Sequence, residues 1–202
     1  MLKKITMLLF AVALTSTAFA QKDYDYKKFR VDLGGGVAIP NGGAGVLFYV
    51  EPKYAVHPDF SVGVRLLNAL IAKKINDNTA DVSSNISFLL TGDYYFTSTT
   101  ARPYIGAGLG LFHNAGLATT SSYTNSGGNT TITSNYSVPS SNNFGAMIRG
   151  GVDVVHLRIG LEYNFVPSTT AQNGSNNNAD FRVQNSYFGI TFGGYFGGGK
   201  LK

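Results

Sequence analysis

The chain contains no cysteine, which excludes a disulfide framework and any cysteine-ligated metal site and leaves the redox compartment to be read from other features. Charge is sparse, at 13% of residues. The formal excess of +5 includes no basic run of the kind that grips phosphates, so no nucleic-acid partner is expected. A hydrophobic run of the roughly 20 residues that a spanning helix needs is also missing. Histidine is scarce, with 3 residues. What the chain has instead is 25 glycines and 13% aromatic residues, mostly Tyr and Phe, a mixture that favours strands and turns over helices. A length of 202 residues with 44% hydrophobic content suits one compact domain.

The strongest apolar segment lies at the start. Lys3 and Lys4 precede the run Ile5 to Leu14, and Ala18-Phe19-Ala20 forms a small-x-small cleavage site before Gln21. This pattern predicts a secretory signal peptide over residues 1–20, cleaved after Ala20, with 21–202 as a single domain. No cysteine stands at the cleavage site to make it a lipoprotein.

Beyond it, one pattern recurs. In LRIGLEYNF, Leu157, Ile159, Leu161, Tyr163 and Phe165 alternate with Arg158, Gly160, Glu162 and Asn164, the period of a strand. Eight such strands are predicted: Phe29 to Ile39, Gly45 to Val56, Phe60 to Ala69, Val82 to Phe96, Pro103 to Phe112, Phe144 to Val154, Leu157 to Phe165 and Arg182 to Phe196. Each holds the roughly 9–11 residues that a tilted strand needs to cross a bilayer. The connections alternate in length. His57-Pro58-Asp59, Thr97 to Arg102 and Val155-His156 are short, whereas AKKINDNTAD, the tract from His113 to Asn143 and PSTTAQNGSNNNAD are long and polar. An antiparallel meander sends these two sets to opposite ends, giving one trimmed rim and one shaggy rim.

Parity then sorts the side chains. Ten charges fall opposite the apolar positions: Arg30, Asp32, Glu51, Lys53, Arg65, Asp93, Arg149, Asp153, Arg158 and Glu162, five of each sign. Glycines share that face, among them Gly34, Gly36, Gly63, Gly106, Gly108, Gly110, Gly151 and Gly160, as a narrow, filled interior requires. Strand cations are mostly arginine, whose fork suits enclosed carboxylates, and Lys53 alone of the mature lysines is placed in a strand. Aromatics bunch at strand ends, with Tyr54, Phe60, Tyr94, Phe96, Tyr104 and Phe196 at the short-turn rim and Phe144, Tyr163 and Phe165 at the other, as interface girdles do. The apolar face is therefore expected in lipid and the charges in the lumen, as a mutually compensating network. Two features fit the pattern poorly: Pro52 removes a ladder donor, and the phase slips after Leu66-Leu67-Asn68.

The signal peptide, the hairpins DYYFTSTTARPYIGAGLGLF and GGVDVVHLRIGLEYNF, and the closing SYFGITFGGYF resemble the small eight-stranded bacterial outer-membrane barrels of the OmpA/OmpX type and the porin-family "outer membrane protein beta-barrel domain". The resemblance implies an all-β, eight-stranded antiparallel up-and-down transmembrane barrel in the outer membrane, with the N-terminus and short turns periplasmic. It implies outer-membrane lipid and, during biogenesis, the barrel-assembly machinery as partners. In this family the last strand usually ends in an aromatic residue that the assembly machinery recognises, whereas here Phe196 is followed by Gly-Gly-Gly-Lys-Leu-Lys.

Catalytic chemistry finds little support in the residues. His57 and His156 fall in short turns. His113 lies at the long-loop rim near Ser and Thr, so an outer-leaflet lipid acyl hydrolase is one reading, but no carboxylate shares its face. Gly34-Gly35-Gly36 and Gly106-x-Gly108-x-Gly110 lack the phosphate-loop form. Asp153 and Glu162 have arginine neighbours by parity, so ion pairing is their expected use. No catalytic residue, cofactor or metal is expected. The leading expectation is a non-enzymatic envelope protein with a filled lumen, displaying loops 113–143 and 167–181 to a surface ligand. A narrow gated porin-like channel is the alternative.

Overall fold

The computed structural model describes residues 27–76, 79–115, 117–124, 131–138, 140–173 and 181–198. The signal-peptide reading of residues 1–20 lies outside the described residues. The elements in chain order are β1 (Phe29–Pro40), β2 (Gly43–His57), β3 (Phe60–Asn76), β4 (Thr79–Tyr95), β5 (Ala101–Asn114), β6 (Leu117–Thr124), β7 (Thr131–Val138), β8 (Ser141–Val154), β9 (Leu157–Phe165), β10 (Thr169–Asn173), β11 (Phe181–Val183) and β12 (Tyr187–Gly197). Eight of them close into a barrel in the order β1-β12-β9-β8-β5-β4-β3-β2. Every neighbouring pair is antiparallel, and closure runs from Arg30↔Gly197 to Pro40↔Tyr187. A closed sheet leaves no edge of unpaired N–H and C=O groups.

The strand period survives where the sequence suggested a slip. Along β3, Arg65, Leu67, Ala69 and Ile71 all point inward while Leu66, Asn68 and Leu70 point outward. The apparent slip arises because apolar residues occupy both faces of β3 there, which removes the contrast that parity depends on. Pro52 pairs with Val31 on the β1 side, while the β2–β3 ladder resumes in the same register from Val50↔Leu66 to Lys53↔Gly63. The missing N–H therefore interrupts the ladder without a bulge.

The expected loop AKKINDNTAD is instead a hairpin, because β3 and β4 continue pairing to Asn76↔Thr79. Lys73 and Lys74 accordingly lie in β3, so Lys53 is not the only strand lysine. The other two long connections also carry strands: β6, β7, β10 and β11 form a four-stranded sheet in the order β11-β10-β7-β6. The predicted final strand Arg182 to Phe196 divides into β11 and β12. Asn185 causes the break, since its side-chain amide donates to the Pro167 carbonyl at 2.9 Å and to Thr169 Oγ1 at 2.8 Å. Ser186 Oγ meanwhile takes the Val166 backbone N–H at 3.1 Å and donates to the Val166 carbonyl at 3.0 Å. Side chains replace ladder bonds there, and the chain turns.

Two turns show how the short rim and the first hairpin are made. Asn41-Gly42 joins β1 to β2, with Gly42 at φ 79°, a conformation open to glycine. Val155-His156 joins β8 to β9, and Val155 takes φ 56°, the left-handed first position of a II′-type hairpin that normally calls for glycine. Its surroundings hold it there: the Val155 N–H donates to the Thr100 carbonyl at 3.2 Å, Tyr195 donates its hydroxyl to the Val155 carbonyl, and His156 stacks on Tyr195 at 5.5 Å between ring centroids.

Candidate functional site

Strand alternation delivers one face of every barrel strand to the lumen. On β1 these are Arg30 and Asp32, on β2 Glu51 and Lys53, on β3 Arg65, on β4 Asp93, on β8 Arg149 and Asp153, and on β9 Arg158 and Glu162; all ten are buried. The structure brings them into one connected network. Glu51 receives both terminal nitrogens of Arg149 at 2.7 and 2.6 Å, Arg65 Nη1 at 3.2 Å and the Thr91 hydroxyl at 2.6 Å. Asp93 accepts from Lys53 Nζ at 2.7 Å, Arg149 Nε at 2.8 Å and Arg158 Nη2 at 2.9 Å. Asp32 meets Arg30 and Lys53 at 2.8 Å and Arg158 at 3.2 Å. Asp153 pairs with Arg30 at 2.8 Å, and Glu162 with Arg65 at 2.6 Å. Each arginine except Arg149 also lies over a tyrosine ring: Arg30 over Tyr195 at 4.2 Å, Arg65 over Tyr49 at 3.9 Å and Arg158 over Tyr104 at 3.6 Å.

These tyrosines are the lumen residues that sequence reasoning missed, and Tyr104 corrects the girdle reading. It is buried and faces Arg158, not lipid. The signal is present in the sequence, because Tyr49, Tyr95 and Tyr104 share the parity of the charged face; of the three only Tyr104 reads as a girdle residue, by its place near a strand end. The other girdle residues at the short-turn rim, Tyr54, Phe60, Tyr94, Phe96 and Phe196, are exposed. At the opposite rim Phe144 and Phe165 are exposed, and the half-buried Tyr163 packs edge-on against Phe165 at 4.6 Å. The lumen glycines make room for this filling. A Cβ at Gly34 would stand 2.6 Å from the Tyr49 hydroxyl, and one at Gly160 2.5 Å from that of Tyr104.

The lumen is not polar throughout. Toward the long-hairpin rim the inward positions include Ala38, Leu47, Leu67, Ala69, Ile71, Leu89, Phe112, Met147, Val166 and Tyr187, none more than 3% exposed, which form one apolar cluster with the buried polar side chains of Asn85, Ser87 and Asn164 set among them. The cylinder is therefore filled twice over, by ions near the short turns and by a hydrophobic plug above them.

Outside, the pattern reverses that of a water-soluble barrel. Leu90 is 66% exposed, Phe144 65% and Ile105 54%, and among the described outward-facing side chains of the barrel wall there is no Asp, Glu, Lys or Arg. A patch of this extent is far beyond what a soluble monomer exposes. Toward the long-hairpin side polar side chains enter the outer face at Asn68, Ser84, His113 and Asn142, on the consecutive barrel strands β3, β4, β5 and β8.

The three histidines form no catalytic array. His113 Nδ1 pairs with Asn142 Oδ1 at 2.6 Å, while the nearby Ser84 hydroxyl donates to Asn68 Oδ1 at 3.1 Å. His57 accepts the Asp59 N–H at 3.3 Å within its turn. No group of metal-ligating side chains occurs among the described residues.

No family model and no curated protein matches the chain. Solved structures that it resembles include the N-terminal β-barrel domain of Pseudomonas aeruginosa OprF, with 14% identity, TM-score 0.41 and coverage of 85% of this chain and 99% of that one. Neisserial surface protein A shows 17% identity, TM-score 0.49 and coverage of 85% and 95%. The outer membrane protein OprG from Pseudomonas aeruginosa shows 13% identity, TM-score 0.48 and coverage of 86% and 99%. At these values the likeness adds nothing to what the closed strand register already fixes.

Proposed function

We propose that this chain is an integral outer-membrane barrel of the bacterial envelope, non-enzymatic and non-conducting, which anchors a strand-built surface structure. The observation that carries the reading is the combination of an apolar, uncharged wall with a doubly filled lumen. On β4 the outward face carries no polar side chain from Tyr94 to Ile86 apart from the Tyr94 hydroxyl, close to the roughly 9–11 residues that a tilted strand uses to cross hydrocarbon. Ions that would be prohibitive in lipid lie inside, each with partners of opposite sign. An eight-stranded barrel has just enough interior for side chains, and here Leu47, Leu67, Leu89, Phe112 and Met147 are fully buried across it. A gated channel through the ion network would have to open this plug as well.

In this reading the short turns face the periplasm, and the β3–β4 hairpin and the β11-β10-β7-β6 sheet stand outside. The Ser-, Thr-, Asn- and Gly-rich segments 113–143 and 167–181 supply that sheet, and any ligand of the protein binds there. Planar-bilayer recording of the purified protein tests the non-conducting part: no discrete conductance is expected, and reproducible single-channel steps would overturn it. Cell fractionation with heat-modifiable gel mobility tests the location, since an integral barrel stays with the outer membrane and migrates faster when unboiled.

A further inference from the structure

The outer wall carries an amide among residues that otherwise suit hydrocarbon. Asn68 is exposed on the outward face of β3. Its nearest neighbours on that face are Leu66 and Leu70 along the strand, Phe48 across on β2 and Ile86 across on β4. All four are exposed apolar side chains, so Asn68 lies within the apolar band and not beyond it. Ser84 gives it one hydrogen bond, donating its hydroxyl to Asn68 Oδ1 at 3.1 Å. The Asn68 Nδ2 hydrogens have no acceptor among the described residues. An open N–H pair is costly in hydrocarbon, and a polar side chain held there marks a functional site.

The polar row continues past Ile86. Ile86 stands opposite His113 on β5, and His113 opposite Asn142 on β8. Asn142 Oδ1 accepts from His113 Nδ1 at 2.6 Å, which leaves a neutral ring with Nε2 as an acceptor and leaves the Asn142 amide with its N–H donors open. The row thus offers amide donors at Asn68 and Asn142 together with acceptors at His113 Nε2 and the Ser84 oxygen. No Asp, Glu, Lys or Arg stands among the described outward side chains of the wall. A phosphate, which only accepts, would find no cation there and leave the acceptors unmet. Hydroxyl groups donate and accept, and so match both. Two residues nearer the short-turn rim on each strand, the same face carries exposed Leu66, Ile86, Leu111 and Phe144.

We infer that Asn68, Ser84, His113 and Asn142 bind the sugar hydroxyls of a glycolipid whose acyl chains lie along Leu66, Ile86, Leu111 and Phe144. The row crosses three inter-strand spacings, about 14 Å, wide enough for a headgroup of two sugar rings. The inference rests on the reading of this wall as lipid-facing, and it concerns a lipid of the membrane itself, not a ligand of the surface sheet.

The side-chain NH2 resonances of Asn68 and Asn142 report occupancy directly. They are followed with the folded protein in phosphatidylcholine nanodiscs containing a rising mole fraction of digalactosyl diacylglycerol, a neutral two-sugar probe. Saturable shifts with one common midpoint are expected at both, while the backbone amides of Val37 and Ile190, on the far side of the barrel, stay unchanged. Asn68→Leu should raise the midpoint read at Asn142 at least about fivefold, through the loss of the Asn68 hydrogen bonds. Leucine suits a lipid-facing wall, so this variant should insert, and its heat-modifiable mobility checks that separately. A wild-type barrel that does not insert into the nanodisc overturns the lipid-facing reading. An inserted barrel whose side-chain amides never saturate, respond as strongly to phosphatidic acid, or keep the same midpoint in Asn68→Leu overturns the glycolipid site alone.

Discussion

Replacing Glu51 by Gln isolates the worth of the lumen network. Glu51 is fully buried and receives four hydrogen bonds, from Arg149 twice, Arg65 and Thr91. Glutamine keeps the shape but removes the charge, and it turns an amide NH2 toward guanidinium donors. Arg65 retains Glu162 and Arg149 retains Asp93, yet the lumen is left with one uncompensated positive charge. Removing one partner of a buried ion pair typically costs about 3–5 kcal/mol. With a guanidinium m value of about 4 kcal/mol/M for a barrel of this size, the unfolding midpoint in lipid vesicles should fall by about 1 M. The chain has no tryptophan, so circular dichroism and unboiled gel mobility are the suitable readouts. Adding Arg149→Met restores neutrality and should recover part of the loss, a coupling of about 1.5 kcal/mol or more. Asp59→Asn, in a half-buried turn outside the lumen, is the reference and should change stability by less than about 0.5 kcal/mol. A Glu51→Gln midpoint within about 0.2 M of wild type, or no coupling to Arg149, would refute the view that the lumen charges are held as one compensated set.

Four other outcomes follow from particular residues. Leu90→Arg, in the middle of the outer wall, should cost about 2–4 kcal/mol in a bilayer; equilibrium folding into vesicles measures it, and no cost would mean that this wall meets water. Val155→Gly should stabilise the protein by about 1 kcal/mol by relieving the positive φ, read as a higher denaturation midpoint. Gly110→Ala should block folding, because its Cβ would run into the Phe88 carbonyl, whereas Gly92→Ala meets only the Phe60 ring at 3.4 Å and should fold normally, as unboiled gel mobility will show. Deleting residues 117–138 removes β6 and β7 but no barrel strand, so heat-modifiable mobility should persist while protease shaving of intact cells loses its fragments from this segment.

The sequence determined the barrel almost alone, because a period of two with opposite chemistry on its two faces needs no knowledge of neighbours. Strand number, the two unequal rims and the parity of all ten lumen ions were legible for that reason. Parity failed where its contrast vanished. At Leu67, Ala69 and Ile71 the inward residues are as apolar as the outward ones, so the plug read as a slip, and Tyr104 passed as a girdle residue because a tyrosine suits either face. Only the tertiary structure decided which carboxylate meets which guanidinium, since Glu51 and Arg149 lie 98 positions apart and their contact depends on barrel closure. Local patterning fixes which face a side chain takes; the partners it finds across the lumen follow from strand tilt and stagger, which no single segment encodes.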